Sequence, residues 1–449
     1  MEHRSRTTHP LENPPIERIV RPFQDFIHKE ASGGIVLILA AVAALIWVNS
    51  PWEDSYHQLW ETHLKIGAGS FLLDMSLEHW INDALIVVFF FVVGLEIKRS
   101  ILVGELSTPR RAALPAIAAI GGMIVPALVY LSFNSLGSEG GRGWGIPMAT
   151  DIAFALGVLA LLGRRIPLSL KVFLSAFAIA DDMGAVAVIA VFFTDEISWV
   201  NFGIAFGLLG VLLVANRLDV RNPLPYIAVG VLVWYYFLLS GVHTTVAGVL
   251  LASVVPIRVR LDADSFYNRA RYLLDEFKRH DEDSNDMLPA TIEQRAAVQA
   301  LETECQHVES PLQRMEHAFL PWVAFLIMPI FGLANAGVSL DSGLGSASTS
   351  SVTVGVFVGL VVGKSIGVTL LAWLAVRTGV AVMPQGVNWR QMFGVALLGG
   401  IGFTVALFIT SLAFADDALI ADAKIGILAG SIVAGAGGWI VLRMTSSHN

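Results

Sequence analysis

Two adjacent aspartates, Asp181 and Asp182, lie inside an apolar stretch that runs from Val172 to Phe192. A charged side chain at the centre of a membrane-spanning helix costs roughly 2.5–3.5 kcal/mol on insertion scales. Two in succession have no packing rationale, so their chemistry must justify them. A carboxylate pair offers hard oxygen ligands to a small hard cation such as sodium. The same oxygens take protons when the cation is absent. Two buried carboxylates side by side resist simultaneous ionisation, so protons compete with the cation for the pair. The pair titrates as one coupled unit. Such competition is sufficient for exchange if the site faces one side of a membrane at a time.

Other ionisable residues fall in apolar stretches too. Asp151 and Lys364 lie deep, while Glu96 and Asp83 sit near opposite ends of one stretch. Deep charges of this number mark an ion or proton path. Asp83 reaches interfacial water, as an access funnel requires, and an anchoring role serves Asp83 and Glu96 equally well. Neighbouring residues on a helix point about 100° apart. Asp181 and Asp182 therefore cannot share a direction. One lines a cavity while the other meets a cation, and Lys364 is the only deep cation in the sequence.

These residues need a membrane scaffold, and the composition provides one. Of 449 residues, 55% are hydrophobic and 15% charged, against about 25% charged in soluble domains. The apolar residues form long runs, so the expected fold is an all-α polytopic membrane protein with about twelve transmembrane helices. The spans fall at 33–49, 78–98, 112–133, 145–162, 168–194, 200–216, 224–239, 242–256, 318–340, 353–377, 391–413 and 423–443. The bilayer is the implied partner. The placement of the cations, not the net charge of −8, carries information, and no nucleic acid is expected. With Arg4, Arg6, Arg18, Arg21 and Lys29 in the cytoplasm, alternate loops hold nearly all the remaining Lys and Arg, as the positive-inside rule requires. Both termini are then cytoplasmic. The first residues lack an apolar h-region, so no cleaved signal peptide is expected. The single cysteine, Cys305, excludes an intramolecular disulfide framework. No cofactor is implied.

The layout is a cytoplasmic N-terminal segment (1–32), spans one to eight (33–256), a charged cytoplasmic insertion (257–316), spans nine to twelve (317–443) and a tail (444–449). Within the insertion, Phe266, Ala270, Leu273, Leu274 and Phe277 recur at helical spacing. Thr291 and Gln294 read as a capping box that opens a second helix. A small helical hairpin is expected, either as a regulatory appendage or as an insertion that the surface tolerates.

Spans four and eleven are interrupted. Pro147 and the Thr150-Asp151 step break the fourth, and Gly399, Gly400, Gly402 and Thr404 break the eleventh. Interrupted segments in corresponding halves point to a site at the membrane midplane. Spans three to five and ten to twelve are offset by seven, an odd number, so equivalent helices run in opposite directions. The expectation is an inverted repeat with two broken, crossing helices. Their half-helix dipole ends need compensation, which Asp151 can give to the positive ends and Lys364 to the negative ends.

Six motifs, taken together, resemble one family. They are Trp80-Ile-Asn-Asp83, Gly94-Leu-Glu-Ile-Lys-Arg99, Thr150-Asp151-Ile-Ala-Phe-Ala-Leu-Gly157, Ala180-Asp181-Asp182, Ser240-Gly-Val-His243 and Gly399-Gly-Ile-Gly-Phe-Thr404. They look like the NhaA family of bacterial sodium–proton antiporters, over roughly 33–256 and 311–443. That family is among the transporters from which the inverted-repeat rule was drawn, so the two readings are not independent. The resemblance implies an inner-membrane, twelve-helix antiporter that expels Na+ or Li+ for protons, more than one per cation. The membrane potential can then drive it. It admits a homodimer. Asp182 resembles the ion-binding aspartate and Asp181 the partner of Lys364. Thr150 and Asp151 hold the broken-helix position and join Asp182 and Asp181 in the expected Na+/H+ binding set. Glu96, Arg99, His243, Glu316 and His317 fall where the family has residues tied to pH response. Ser100 and Leu320 depart from the family pattern, which has an acid and a histidine there, and the insertion is longer than usual.

Three other functions fit less well. An intramembrane aspartyl protease needs its two acids on separate helices and a Gly-x-Gly-Asp sequence, which is missing. A sodium-coupled symporter for organic anions needs Asn/Gln-rich cavity walls. A cation channel fits stacked charges and broken helices less well than a carrier does.

Overall fold

The computed structural model describes residues 31–68, 71–194, 196–259, 262–279, 292–339 and 350–445. The cations from Arg4 to Lys29, Thr291 of the expected capping box and the end of the tail lie outside the described residues. Among the described residues the chain is helical apart from one two-stranded sheet.

The first helix, α1 (Ala31–Val48), turns sharply into α2 (Glu53–Glu61), with 116° between them. The connection to the second expected span is structured. It is an antiparallel hairpin of β1 (His63–Ala68) and β2 (Phe71–Ser76), in which Lys65 faces Asp74. Lys65 and His63 both bond the Asp74 carboxylate, at 2.9 and 2.8 Å, and hold it below the usual carboxylate range. A helical turn at Leu77–Trp80 passes through a π-helical turn at Ile81–Leu85 into α3 (Ile86–Leu102). Then come α4 (Pro109–Phe133), a 3-10 segment at Glu139–Met148, α5 (Ile152–Leu161), α6 (Leu168–Phe192), α7 (Trp199–Arg217), α8 (Pro223–Ser240) and α9 (Thr244–Val254). In the insertion, α10 (Ala263–Arg279) packs on α11 (Ile292–Val308), joined by an Arg269–Glu304 pair at 2.9 Å. Phe266, Ala270, Leu273 and Phe277 are half-buried there, whereas Leu274 is exposed.

A capping box at Ser310 and Gln313 starts α12 (Pro311–Trp322), which continues through a π-turn at Val323–Ile327 into α13 (Met328–Asn335). The next long helix is α14 (Ser351–Val358), a π-turn at Gly359–Gly363 and α15 (Lys364–Arg377). The chain ends with α16 (Trp389–Gly399), α17 (Phe403–Ala413) and α18 (Asp417–Thr445).

Seven of these helices are long and apolar enough to cross a bilayer, or ten if each of three bent pairs counts as one span. The chain is thus a polytopic helical membrane protein. Two of the expected spans fall on shorter helices. The π-turn before α3 leaves it 17 residues, and α9 has 11. A helix of 11 residues is about 16 Å long, against a hydrocarbon core of about 30 Å.

Small residues set the tightest packing, between α4 and α15. Gly121 and Gly367 meet backbone to backbone, and a Cβ on Gly367 would run into the Gly121 carbonyl and lie 2.8 Å from Val125 Cβ. Interfaces of this kind are enriched in small residues because lipid supplies no hydrophobic drive between helices. Gly367→Val is expected to lower the melting temperature markedly, since overpacking costs about 1–3 kcal/mol. Gly157→Val, at a glycine with open space around it, is the control. Equal melting temperatures for the two would contradict the close approach.

A buried carboxylate and lysine site between two helix breaks

Local sequence creates both breaks. Pro147 ends the 3-10 segment, Ala149 and Asp151 are extended, and the axes on either side differ by 43°. In the other chain segment α16 and α17 differ by 45° across Gly400–Gly402. Glycine is needed there for approach, because a Cβ on Gly400 would strike the Leu360 carbonyl and one on Gly402 would lie 2.9 Å from Leu360 Cδ2.

The breaks are bonded to each other. Asp151 N donates to Ile401 O at 2.6 Å, and Thr150 Oγ1 to Gly399 O at 2.8 Å. Asp151 Oδ2 accepts from Thr404 N at 3.2 Å and from Thr404 Oγ1 at 2.5 Å, while Oδ1 accepts from Phe154 N at 3.1 Å. One carboxylate thereby caps the N-termini of both α5 and α17, where the helix dipoles are positive. Thr404→Val removes the shortest of these bonds and leaves a buried acid short of a donor. It is expected to cost about 1–3 kcal/mol of stability, read by thermal melting beside Thr410→Val, whose hydroxyl bonds only within its own helix at Ala406 O. A smaller loss at Thr404 than at Thr410 would contradict the role given to Asp151.

The aspartate pair sits on α6, beside these breaks. Asp181 and Lys364 are fully buried, with Nζ donating to Asp181 Oδ2 at 2.8 Å. Lys364 also donates to Met148 O, at the C-terminal end of the 3-10 segment. Its ammonium lies 6.0 Å from the Phe177 ring centroid, and Gly122 packs against its stem. Asp181 Oδ1 accepts no hydrogen bond, and the nearby Thr150 hydroxyl donates to Gly399 O. Asp182 is 4% exposed. Among the described residues its carboxylate forms no hydrogen bond and no ion pair. Asp181, Glu96 and Asp151 add negative potential around it, and Lys364 opposes them. No third His, Cys, Asp or Glu joins the pair as a metal cluster among the described residues. Asp182 is therefore the member of the pair whose carboxylate has no hydrogen-bonding or ion-pair partner among the described residues.

The remaining candidates divide between the two ends of α3. At one end Arg99 pairs with Glu316 at 3.1 Å, His317 on α12 is exposed and Glu96 is half-buried. Ser100 is buried and Leu320 half-exposed. At the other end Thr244 Oγ1 reaches Asp83 Oδ1 at 3.4 Å, and Trp234 Nε1 donates to Asp83 O at 2.5 Å. His243 bonds the Phe193 carbonyl, at the end of α6. Asp83 and Arg99 are 16 positions apart, about 24 Å along a helix. The five residues tied to pH response by resemblance thus do not form one cluster.

Two polar contacts escaped the sequence reading. Lys98 Nζ donates at 2.5 Å to both Ser253 O and Val255 O and so caps the C-terminus of α9. Asn82 and Asn335 exchange reciprocal amide bonds at 3.4 and 3.0 Å. Lys98 carries only a loop-charge signal in sequence, and nothing there pairs two asparagines 253 positions apart.

A helical membrane bundle with two helix breaks meeting beside buried acids suits a secondary carrier. The model of the Na+/H+ antiporter 1 family matches residues 24–442, and the chain belongs to that family. It is 50% identical over 433 residues to the Na(+)/H(+) antiporter NhaA of Koribacter versatilis, covering 96% of this chain and 93% of that protein. The Na(+)/H(+) antiporter NhaA of Oleidesulfovibrio alaskensis is 49% identical over 430 residues, with 96% and 95% covered. That of Acidithiobacillus ferrooxidans is 48% identical over 432 residues, with 95% and 98% covered.

Proposed function

We propose that the chain exchanges cytoplasmic Na+ or Li+ for external protons by alternating access, electrogenically, in a bacterial inner membrane, and so serves sodium and pH homeostasis. The observation that carries this reading is the open Asp182 carboxylate beside the buried Lys364–Asp181 pair. Asp182, with Asp181 and Thr150 adjoining, holds either the cation or protons. Lys364 and Asp151 compensate charge at the two breaks, one of which Gly400, Gly402 and Thr404 form. Na+ arriving from the cytoplasm displaces protons, and the loaded site then turns outward. Protons displace Na+ there and return the site. Glu96, Arg99, Glu316, His317 and His243 adjust the rate to pH, and Asp83 lies in an access funnel.

In the arrangement we propose, twelve spans form an inverted repeat of spans three to five and ten to twelve. Both termini and the 257–316 insertion lie in the cytoplasm, and two copies associate as a homodimer. Both acids of the pair lie on one helix, α6, which does not suit a protease that needs them on facing helices. Dequenching of a pH-sensitive dye in everted vesicles tests the reading. Proton release on addition of Na+ or Li+, but not K+, is the expected result, and no response to any of the three would reject it.

A further inference from the structure

Among the described residues three π-turns interrupt helices, and the one at Gly359–Gly363 leads straight into Lys364. The backbone N–H of Lys364 closes that turn by donating to Gly359 O. A π-turn holds one residue more than a regular turn and is frequent at functional sites. One extra residue turns the faces of the following helix by about 100° relative to the helix before it. The direction of the Lys364 side chain therefore depends on this turn being kept.

The turn touches both breaks. On one side Gly359 packs on Pro147, where a Cβ would lie 2.7 Å from Pro147 Cβ, and Gly363 packs on Pro126 of α4. On the other side the Leu360 carbonyl closes on Gly400, and the Leu360 side chain fills the space between Gly402 and Gly430 of α18. A Cβ on Gly430 would lie 3.1 Å from Leu360 Cδ1. Leu360 is fully buried. Phe403 N donates to Ser431 Oγ at 3.3 Å, so α18 also holds the start of α17.

We infer that Leu360 is a positioning residue for the exchange site. Wedged against the second break while its turn rests on the first, it sets the direction in which Lys364 reaches Asp181 and Met148 O. Three glycines, Gly400, Gly402 and Gly430, leave room for one leucine there. A shorter side chain leaves a cavity into which the surroundings relax. A turn that relaxes toward regular helix rotates α15 and swings the ammonium away from the Asp181 carboxylate. The consequence for exchange rests on the function proposed above, whereas the placement of Lys364 does not.

Melting of the full-length protein in detergent tests this without transport. Lys364→Ala is combined with Leu360→Ala, with Val368→Ala or with Leu212→Ala. Val368 is equally buried and stands one turn to the other side of Lys364, against Gly122. Leu212 is buried in α7, which packs on α8 and α9. With Leu360→Ala in place, Lys364→Ala is expected to lower the melting temperature by about half as much as in the parent, since residues that act as one unit are not additive. With Leu212→Ala the losses add, and with Val368→Ala they nearly add. In vesicles Leu360→Ala is expected to slow Na+-driven dye dequenching about tenfold, within the loss that misplacing a reacting group by about 1 Å can bring. Leu360→Met, which conserves volume, is expected to restore it. Leu360→Val supplies the melting cycle if Leu360→Ala is not monodisperse. Additive losses at Leu360, or a coupling no larger than at Val368, would overturn the proposal, as would parental dequenching by Leu360→Ala. A parent without any dequenching fails the exchange reading alone, and the melting cycle still decides the placement of Lys364.

Discussion

Asp182→Asn is expected to abolish sodium–proton exchange in everted vesicles and to leave the protein folded. The substitution keeps the shape of the side chain but removes both its charge and its acid proton. A hard monovalent cation loses its anionic ligand, and position 182 no longer has a group that can carry a proton back. The fold suffers little because the Asp182 carboxylate has no hydrogen bond to lose among the described residues. The amide is also easier to bury than a charge. Dye dequenching should fall to the level of vesicles that lack the protein, while elution and melting temperature stay near those of the parent. Exchange at the parent rate would show that another group binds the ion.

Lys364→Ala gives the largest expected loss of stability. Both partners of the Lys364–Asp181 pair are fully buried. Removing one partner of a buried pair costs about 3–5 kcal/mol, because the other charge is left uncompensated. Asp83→Ala removes a half-buried carboxylate whose bond from Thr244 is long, at 3.4 Å, and should cost about 1 kcal/mol. Thermal melting in detergent ranks the two directly. The pH dependence has a definite sign. Without the lysine, Asp181 can be neutralised only by a proton, so the deficit of Lys364→Ala is greatest at high pH and shrinks as pH falls. The double variant Asp181→Asn with Lys364→Met should melt above Lys364→Ala alone, since neither residue then leaves a bare charge. Identical melting curves for Lys364→Ala and Asp83→Ala would refute the pairing.

That Lys364 meets one of the two aspartates was legible in the sequence by elimination, because a deep acid in an apolar stretch needs a cation; that the partner is Asp181 came from the family resemblance. The breaks were legible because Pro147 lacks a backbone donor and the Gly399–Gly402 run weakens a regular helix, both beside polar residues in an apolar stretch. Which aspartate meets the lysine was not readable from the residues alone. The turn of about 100° between neighbours separates their directions but does not fix the rotation of α6 about its axis. The β1–β2 hairpin escaped notice because two six-residue strands give little signal beside twenty-residue apolar runs. The short α9 escaped because hydropathy senses composition and not where hydrogen bonding stops. Lys98 illustrates the same limit, since the sequence gives its charge and not the carbonyls of Ser253 and Val255 that it reaches.

Four hydrogen bonds join the residues around Asp151 to those around Thr404. A lever pinned at its fulcrum cannot swing one arm alone. In the alternating access we propose, tilting α5 would drag α17 with it, so the site would have no easy halfway posture unlocked toward both compartments. In the exchange we propose, this lacing would resist leakage of either ion without its counterpart.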